Sequence, residues 1–100
     1  MVETQYCDNI LTAKLSGEID HHHAPSIRQK IDALTEQLKP QQLHLDFSGV
    51  SFMDSSGIGL IMGRSKLIKE CGGSLEVKNT QPYIRRVLRL SGIERIVKIT

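Results

Sequence analysis

LHLDFSGVSFMDSSGIGLIMGRSKLIKEC, residues 43–71, is the stretch on which the fold depends. Apolar and polar residues alternate over Leu43–Phe47, which predicts a half-buried strand. After Asp54-Ser55-Ser56-Gly57 the apolar residues recur with a helical period, and the Gly72-Gly73 pair predicts the end of that helix near Cys71. The two serines therefore lie where a strand gives way to a helix.

The apolar spacing of this helix predicts which of its faces turns inward. The predicted inward stripe is Ile58, Ile61, Met62, Ser65 and Ile68. Gly59 and Gly63 are four residues apart and so share one face. Without side chains they predict a smooth groove that another element approaches closely.

The rest of the chain predicts two preceding strands, a helix on either side of residues 43–71, and two strands near the C-terminal end. In chain order these are strands Val2–Cys7 and Ile10–Ser16, a helix from Pro25 to the residue before Pro40, a strand at Leu75–Val77, a helix capped by Asn79-Thr80 and ended by Gly92, and a strand Ile96–Ile99. Loops are predicted at Gly17–Ala24 and Ser48–Ser51. The order β-β-α-β-α-β-α-β predicts an α/β fold: a mixed, mostly parallel sheet with packed helices, in one domain of residues 1–100.

Composition and charge exclude several classes of protein. The net charge of +2 argues against a dedicated nucleic-acid binder, and no apolar run approaches a membrane span. Cys7 and Cys71 lie in no metal-binding or redox spacing, so we expect free, mostly buried thiols and a cytoplasmic location. Residues 1–63 carry a formal charge of −4 and residues 64–100 carry +6. This asymmetry leaves two interpretations open: solvated helix faces, or a surface suited to a charged protein partner.

The sequence matches the known enzyme and metal-binding motifs poorly. Gly63-Arg64-Ser65 lacks both the lysine and the preceding glycine of a P-loop. Asp54-Ser55-Ser56-Gly57 is not the elbow of a serine hydrolase, because Met53 stands where a glycine belongs if Ser55 is the nucleophile. Consecutive residues such as His21–His23 point in different directions, so a solvated loop is a better interpretation than a metal site. We expect no metal and no cofactor.

The two serines therefore have two remaining interpretations. Either Ser55 or Ser56 caps the helix, which stabilises it by about 1 kcal/mol, or one of them is a regulated hydroxyl. A phosphate there would add about −1.5 to −2 charges, which free N–H groups and the helix dipole tolerate. Asp54 and the nearby Asp20 would deepen the negative potential. The residues alone do not choose between these interpretations.

Three segments of the chain resemble the anti-sigma factor antagonists, which are stand-alone STAS domains. They are Gly17-Glu18-Ile19-Asp20-His21-His22, Ser51-Phe52-Met53-Asp54-Ser55-Ser56-Gly57-Ile58-Gly59 and Gly63-Arg64. The similarity extends along essentially the whole chain and is greatest to the sporulation-type antagonists of the sigma-F pathway. The chain ends soon after its last predicted strand, so we expect it to lack the C-terminal helix of longer relatives.

This resemblance implies a switch between binding partners, with no catalysis by the chain itself. The unphosphorylated antagonist binds an anti-sigma factor that is also an ATP-dependent serine kinase, and the sigma factor is released. Phosphorylation of Ser55 ends this binding, and a PP2C-type phosphatase restores it. The resemblance assigns partner binding to a set of residues around Ser55: Glu18, Asp20, Asp54, Ser56, Gly57 and Arg64. We expect a monomer when free, and the alternative function is a STAS module that senses a ligand or an anion.

Overall fold

The computed structural model describes all residues, 1–100, and contains five strands, three helices and one 3₁₀ turn. The strands are β1 (Val2–Cys7), β2 (Ile10–Ile19), β3 (Gln42–Met53), β4 (Ser74–Lys78) and β5 (Lys98–Ile99). The helices are α1 (Ala24–Leu38), α2 (Ser55–Glu70) and α3 (Pro82–Ser91), and the 3₁₀ turn is Ile93–Arg95. The predicted order of elements is confirmed.

The strands form one mixed sheet in the order β1-β2-β3-β4-β5. β1 and β2 are antiparallel, while β2, β3, β4 and β5 run parallel to one another. Each parallel connection contains a helix, as parallel crossovers require. The carboxyl ends of the central strands therefore lie at one edge of the sheet, where the loops before α1 and α2 begin.

One face of the sheet carries the core and the other is polar. Alternate residues of the central strands, such as Leu45 and Phe47 on β3, belong to one apolar cluster with helix residues such as Ile61 and Leu88. The intervening residues face away from the helices, as period-two alternation requires. Among them His44 is 8% exposed, and burial lowers the pKa of its imidazole, with the nearby Lys78 adding to this effect.

β2 and β3 are longer than predicted. β2 continues through Gly17 to Ile19, and β3 continues through the predicted turn at Ser48–Ser51 to Met53. The extensions pair with each other, with shifts of register between Lys14 and Ser16 and between Gly17 and Glu18. Gly17 has a φ of +81°, which its lack of a Cβ permits. Partner strands thus override the local turn signal.

The structure also corrects the predicted start of α3, the predicted length of the last strand and the predicted burial of Cys7. α3 begins at Pro82 with Gln81 as its N-cap, so the predicted cap at Asn79-Thr80 is wrong. The last strand is shorter than predicted because Ile93–Arg95 forms a 3₁₀ turn and only Lys98–Ile99 pairs with β4. Cys7 and Cys71 are free, but Cys7 is exposed. No helix of the chain has the length and hydropathy that a membrane span requires.

The inward face of α2 differs from the predicted stripe. The apolar pattern predicts Met62 in that stripe, but this side chain points outward and is 49% exposed. The buried residues of α2 are Gly57, Leu60, Ile61, Arg64, Ser65 and Ile68. The helix is thus rotated relative to the apolar pattern, so that a glycine and an arginine face inward and a methionine faces solvent.

Candidate functional site

Asp54 begins α2. Its backbone is extended (φ −105°, ψ −167°), its Oδ1 accepts a hydrogen bond from the Ser56 N–H at 2.7 Å, and its carbonyl oxygen accepts one from the Gly57 N–H at 3.0 Å. This is the arrangement of an N-cap residue, which satisfies N–H groups that the helix itself leaves unpaired. The cap of α2 is therefore the aspartate and neither serine.

The two serines consequently have no capping role. Ser55 is the first residue of α2 and is exposed, and its hydroxyl forms no hydrogen bond within the chain. The Ser56 side chain is half-buried and likewise forms none, since only its backbone N–H is engaged. The capping interpretation of the serines is wrong, and the Ser55 hydroxyl is left free at the helix start.

Gly57 is buried directly beneath this turn. A Cβ at this position would collide with Cγ and Sδ of Met53 and would lie 3.5 Å from Cγ2 of Ile19. Met53 and Ile19 are the last residues of β3 and β2, and they pair with each other. The absence of a side chain at Gly57 therefore lets the first turn of α2 rest on both strand ends.

The pairing of β2 with β3 brings the acidic residues named from the sequence to one corner. The Asp54 N–H donates to the Ile19 carbonyl at 3.1 Å, which holds the start of α2 beside the residue before Asp20. Glu18 is exposed and pairs with Phe52 in the register of the two strands. Glu18, Asp20 and Asp54 thus each lie one residue from the paired strand ends, Ile19 and Met53, beside which the turn that carries Ser55 begins.

Asp20 is held rigidly in its own turn. Its Oδ1 accepts hydrogen bonds from the N–H groups of His22 at 3.0 Å and His23 at 2.9 Å, and lies 2.8 Å from Nδ1 of the His23 ring. These contacts, the His23 N–H bond foremost, lower the pKa of the Asp20 carboxyl below its ordinary value. Asp20 is therefore a fixed negative charge at this corner.

Arg64 lies deeper than the resemblance suggested. It is nine residues after Ser55, about 14 Å along the helix, and is 7% exposed. Its Nε lies 2.6 Å from Oδ1 of Asp32 on α1, although the N–H does not point along that line as in a regular hydrogen bond. Burial lowers the pKa of the Arg64 guanidinium, and Asp32 opposes this shift. The pair joins α1 to α2.

A cationic groove runs between α1 and α2 beside the serine turn. It has a volume of about 390 Å³ and includes Ser56, Gly59, Gly63 and the side chains of His21, Arg28 and Arg64. No carboxylate lines it. The sequence analysis does not identify Arg28 and Asp32 as site residues. The packing of α1 on α2 brings them to Arg64, and this packing cannot be predicted from a local sequence pattern.

Nothing in the site resembles a catalytic serine. A nucleophilic serine needs a base within hydrogen-bond reach, and no histidine of the chain is hydrogen-bonded to Ser55 or Ser56. His23 is bound to Asp20, and His44 contacts Gln42 on the opposite face of the sheet. No group of three or more His, Cys, Asp or Glu side chains is arranged to hold a metal ion.

Comparison with known proteins gives the same picture. The family model described as "STAS domain" matches residues 1–100. A curated relative, the anti-sigma F factor antagonist of Paenibacillus polymyxa, is 36% identical over 98 residues, covering 98% of this chain and 84% of the relative. The anti-sigma factor antagonist SpoIIAA in its unphosphorylated form superposes with a TM-score of 0.85 at 30% identity, covering 100% of this chain and 88% of that chain. The Bacillus cell fate determinant SpoIIAA in the phosphorylated form gives 0.76 at 30% identity, covering 100% and 91%.

The mixed five-stranded sheet with a capped serine turn at the carboxyl end of β3 defines the class as a STAS fold. With the match along its whole length, the chain belongs to the STAS domain family, and it is a relative of the anti-sigma factor antagonists within that family.

Proposed function

We propose that this protein is an anti-sigma factor antagonist whose binding is switched off by phosphorylation of Ser55. In its unphosphorylated state it binds an anti-sigma factor in the cytoplasm and so frees the sigma factor. The anti-sigma factor is also a serine kinase, and a PP2C-type phosphatase reverses the modification. The relatives named as anti-sigma F factor antagonists support a role in sporulation.

The observation that carries this proposal is the free hydroxyl of Ser55 next to a cap that does not use it. Because Asp54 caps α2, esterification of Ser55 breaks no hydrogen bond of the fold. The exposed position gives a kinase access to the oxygen. A phosphate at the first residue of a helix also meets the positive end of the helix dipole. The domain should therefore remain folded in both states.

The switch itself is electrostatic. The phosphate adds about −1.5 to −2 charges to a corner that already contains Glu18, Asp20 and Asp54. A partner surface that fits the neutral serine closely, or that presents a carboxylate, would be repelled. Like charges brought together in a desolvated interface cost several kcal/mol, and each 1.4 kcal/mol changes the affinity tenfold.

Apart from the Ser55 oxygen, the kinase with ATP and the phosphatase with water supply every group that the phosphorylation cycle needs. The kinase transfers the γ-phosphoryl group of ATP to the Ser55 oxygen, ADP leaves, and the hydroxyl proton passes to a base of the kinase. The phosphatase later hydrolyses the ester with water and releases inorganic phosphate. The antagonist contributes only the acceptor oxygen, so it acts as a substrate of these enzymes and is itself no enzyme.

The remaining site residues have structural parts in this proposal. Gly57 seats the serine turn on β2 and β3, and Ser56 lies between that turn and the cationic groove. Arg64 is too buried to offer a large contact surface, so we assign it the wall of the groove, where Asp32 holds it in place. Its contribution to partner binding would therefore depend on Asp32.

The test compares two substitutions of the acceptor. Ser55→Ala should bind the purified anti-sigma factor kinase from the same organism as tightly as the wild type and should not be phosphorylated by it in ATP. Ser55→Asp should bind at least about tenfold more weakly, because it adds a permanent charge at that corner. Ser74→Asp, an exposed serine at the start of β4, serves as the matched control and should bind normally.

Equal binding by Ser55→Ala and Ser55→Asp would contradict the proposal. Phosphopeptide mapping of the wild type after incubation with the kinase and ATP decides between the neighbouring hydroxyls. A phosphate found on Ser56 would move the switch by one residue, to a side chain that faces the groove.

A second candidate function rests on the cationic groove between α1 and α2. Arg28 and Arg64 both line this groove. Asp32 offsets the charge of Arg64, but Arg28 forms no ion pair within the chain, so a STAS module that senses a phosphate-bearing ligand through Arg28 is the alternative. Calorimetry with inorganic phosphate and ATP separates the two functions. Micromolar binding that Arg28→Ala abolishes, together with no binding to an anti-sigma factor, would favour the sensor.

A further inference from the structure

Most of the arginines of the protein lie on or just after α3. The chain has six arginines, and four of them fall within residues 85–95: Arg85, Arg86, Arg89 and Arg95. Glu94 is the only acidic residue over residues 79–97, and no lysine occurs there. This short segment therefore contributes +3, half of the formal charge of +6 that residues 64–100 carry.

The arginines of α3 have almost no partners within the fold. Arg85, Arg86 and Arg89 are exposed, and the first two form no ion pair. Nε of Arg89 lies 3.7 Å from Oε1 of Glu94, but both side chains are well exposed, and such pairs contribute little. The three arginines line an open hollow of about 570 Å³ that no carboxylate lines. Their charges are thus available to another molecule.

Two apolar side chains are exposed beside these arginines. Tyr83 is 50% exposed and Leu90 is 82% exposed. They are seven residues apart with Arg86 between them, so the three fall on one side of α3. The buried residues of the helix, Ile84 and Leu88, face the core. Tyrosine and arginine are enriched among the residues that dominate protein interfaces, so this outward face has the composition of a binding surface.

This face of α3 is remote from the serine turn. The start of α3 lies near Ser48, because Nε2 of Gln81 donates to the Ser48 carbonyl oxygen at 3.4 Å. β3 then continues to Met53, which is about 16 Å of strand, and Ser55 follows. Because β4 and β5 are parallel, α3 runs back from this edge of the sheet. The separation exceeds the Debye length of about 8 Å at physiological ionic strength, so a phosphate on Ser55 should affect the arginines little.

We propose that the outward face of α3 is a docking surface for the serine phosphatase of the cycle. The phosphatase presents carboxylates to Arg85, Arg86 and Arg89, whose planar forks bind carboxylates through paired hydrogen bonds. An apolar side chain of the phosphatase packs between Tyr83 and Leu90. This inference rests on the proposed function and adds to it a second binding surface, separate from the switch.

The remoteness of this face favours the phosphatase over the kinase. The kinase must leave once Ser55 is phosphorylated, and a contact that the phosphate does not weaken would hold it on its product. The phosphatase must instead bind the phosphorylated form, in which the corner with Glu18, Asp20 and Asp54 is most negative. A positive surface that is the same in both states gives an acidic phosphatase affinity for that form.

The packing of α3 favours a protein over a lipid surface. Arginines are attracted to anionic headgroups as well. However, Ile84 and Leu88 are buried in the core, so only Tyr83 and Leu90 remain to enter a bilayer. Stable attachment of an amphipathic helix to a membrane requires its whole apolar face. A protein partner is therefore the better match.

The test measures dephosphorylation of the protein, phosphorylated on Ser55 by the kinase and ATP, by the purified phosphatase from the same organism. Arg86→Glu should raise KM about tenfold, because a repulsive interface charge replaces an attractive one, and should leave kcat within about twofold. Leu90→Ala should raise KM about threefold through the loss of an apolar contact. Lys14→Glu, which makes the same change of charge on the opposite face of the sheet, is the matched control and should behave like the wild type.

Two further measurements separate docking from damage to the fold. Arg86→Glu and Leu90→Ala should leave the urea midpoint of unfolding and the affinity for the kinase unchanged, because both side chains are exposed. The KM of the wild type should rise between about 50 mM and about 300 mM salt as the arginines are screened. The KM of Arg86→Glu should rise less.

The possible outcomes separate this inference from the proposed function. If both α3 variants are dephosphorylated with the KM of the wild type, or if Lys14→Glu raises KM equally, the docking face is wrong and the Ser55 switch stands. If the variants weaken binding to the kinase instead, the face belongs to the kinase and the inference is overturned. It is also overturned if Arg86→Glu changes only binding to vesicles of phosphatidylglycerol and phosphatidylcholine. If the kinase does not phosphorylate Ser55, the proposed function fails first and this inference fails with it.

Discussion

The turns that follow β2 and β3 begin side by side but use their polar groups differently. After β2, one carboxylate oxygen of Asp20 engages two backbone N–H groups and a histidine ring, all within the same turn. After β3, the corresponding oxygen of Asp54 engages only the N–H of Ser56, and the hydroxyl of Ser55 remains unbonded. The first turn engages its carboxylate internally, whereas the second leaves an unbonded hydroxyl at the surface.

This difference suggests how a small domain combines rigidity with a change of state. The Asp20 turn supplies a negative charge whose position is fixed by three contacts. The Ser55 turn supplies an oxygen that can be modified without loss of any internal hydrogen bond, because Asp54 already caps α2. In the proposed switch, the fixed charge of Asp20 would add to the charge of a phosphate on Ser55, because a mobile carboxylate would move away from it.

The largest effect is expected at Gly57, where the first turn of α2 rests on the ends of both β2 and β3. Gly57→Ala should lower the free energy of unfolding by about 2 kcal/mol, because the new Cβ displaces Met53 and presses toward Ile19, the residues that end β3 and β2. Urea unfolding followed by circular dichroism measures this change. Gly59→Ala, on the open side of the same helix, is the control and should be at least as stable as the wild type. Equal stability of the two variants would show that Met53 yields freely and that the turns do not depend on this contact.

A smaller effect is expected from the cap that distinguishes the β3 turn. Asp54→Ala should lower the free energy of unfolding by about 1 kcal/mol, whereas Asp54→Ser should retain most of the stability because serine is also a good N-cap. Ser55→Ala should change it by less than about 0.5 kcal/mol, as for other surface side chains without contacts. A larger loss in Ser55→Ala than in Asp54→Ala would mean that the serine caps the helix.

The smallest effect is expected from pH at the β2 turn. The folded-state pKa of Asp20 lies below its ordinary value, so its carboxylate stabilises the fold above about pH 4, and this contribution is lost as the pH falls through the folded-state pKa. The stability of the wild type should therefore fall more steeply between about pH 4 and pH 2 than that of Asp20→Asn. Parallel profiles for the two proteins would show that the turn does not depend on the charge.

Much of the fold could be predicted because its signals are local. Alternation in Leu43–Phe47, the proline at the start of α1 and the glycines after α2 and α3 each fix an element from a few neighbouring residues. The strand-to-helix passage at Asp54–Gly57 was predicted for the same reason. Its chemistry was only half predicted, since the choice of Asp54 as the cap depends on backbone angles that residue types leave open.

The errors arose where distant residues decide the outcome. β3 continues through Ser48–Ser51 because the end of β2 pairs with it, and no local pattern reports that partner. Met62 faces solvent because Gly57 and Arg64 turn inward, and Arg64 is inward because Asp32 on another helix meets its charge. The same packing makes Arg64 a buried connection between the two helices.

The second half of β3 extends beyond its neighbour β4, and this unpaired part affects the tendency of the protein to aggregate. β4 pairs with β3 only as far as Asp46, so the second half of β3 has β2 on one side and no strand on the other. An unpaired strand edge of this kind can pair with strands of other molecules, and such pairing leads to aggregation. The serines and the glycine over residues 48–51, with the irregular register against β2, make it a poor template. Residues 48–51, which resemble a turn in sequence, therefore disfavour pairing of this edge with strands of other molecules.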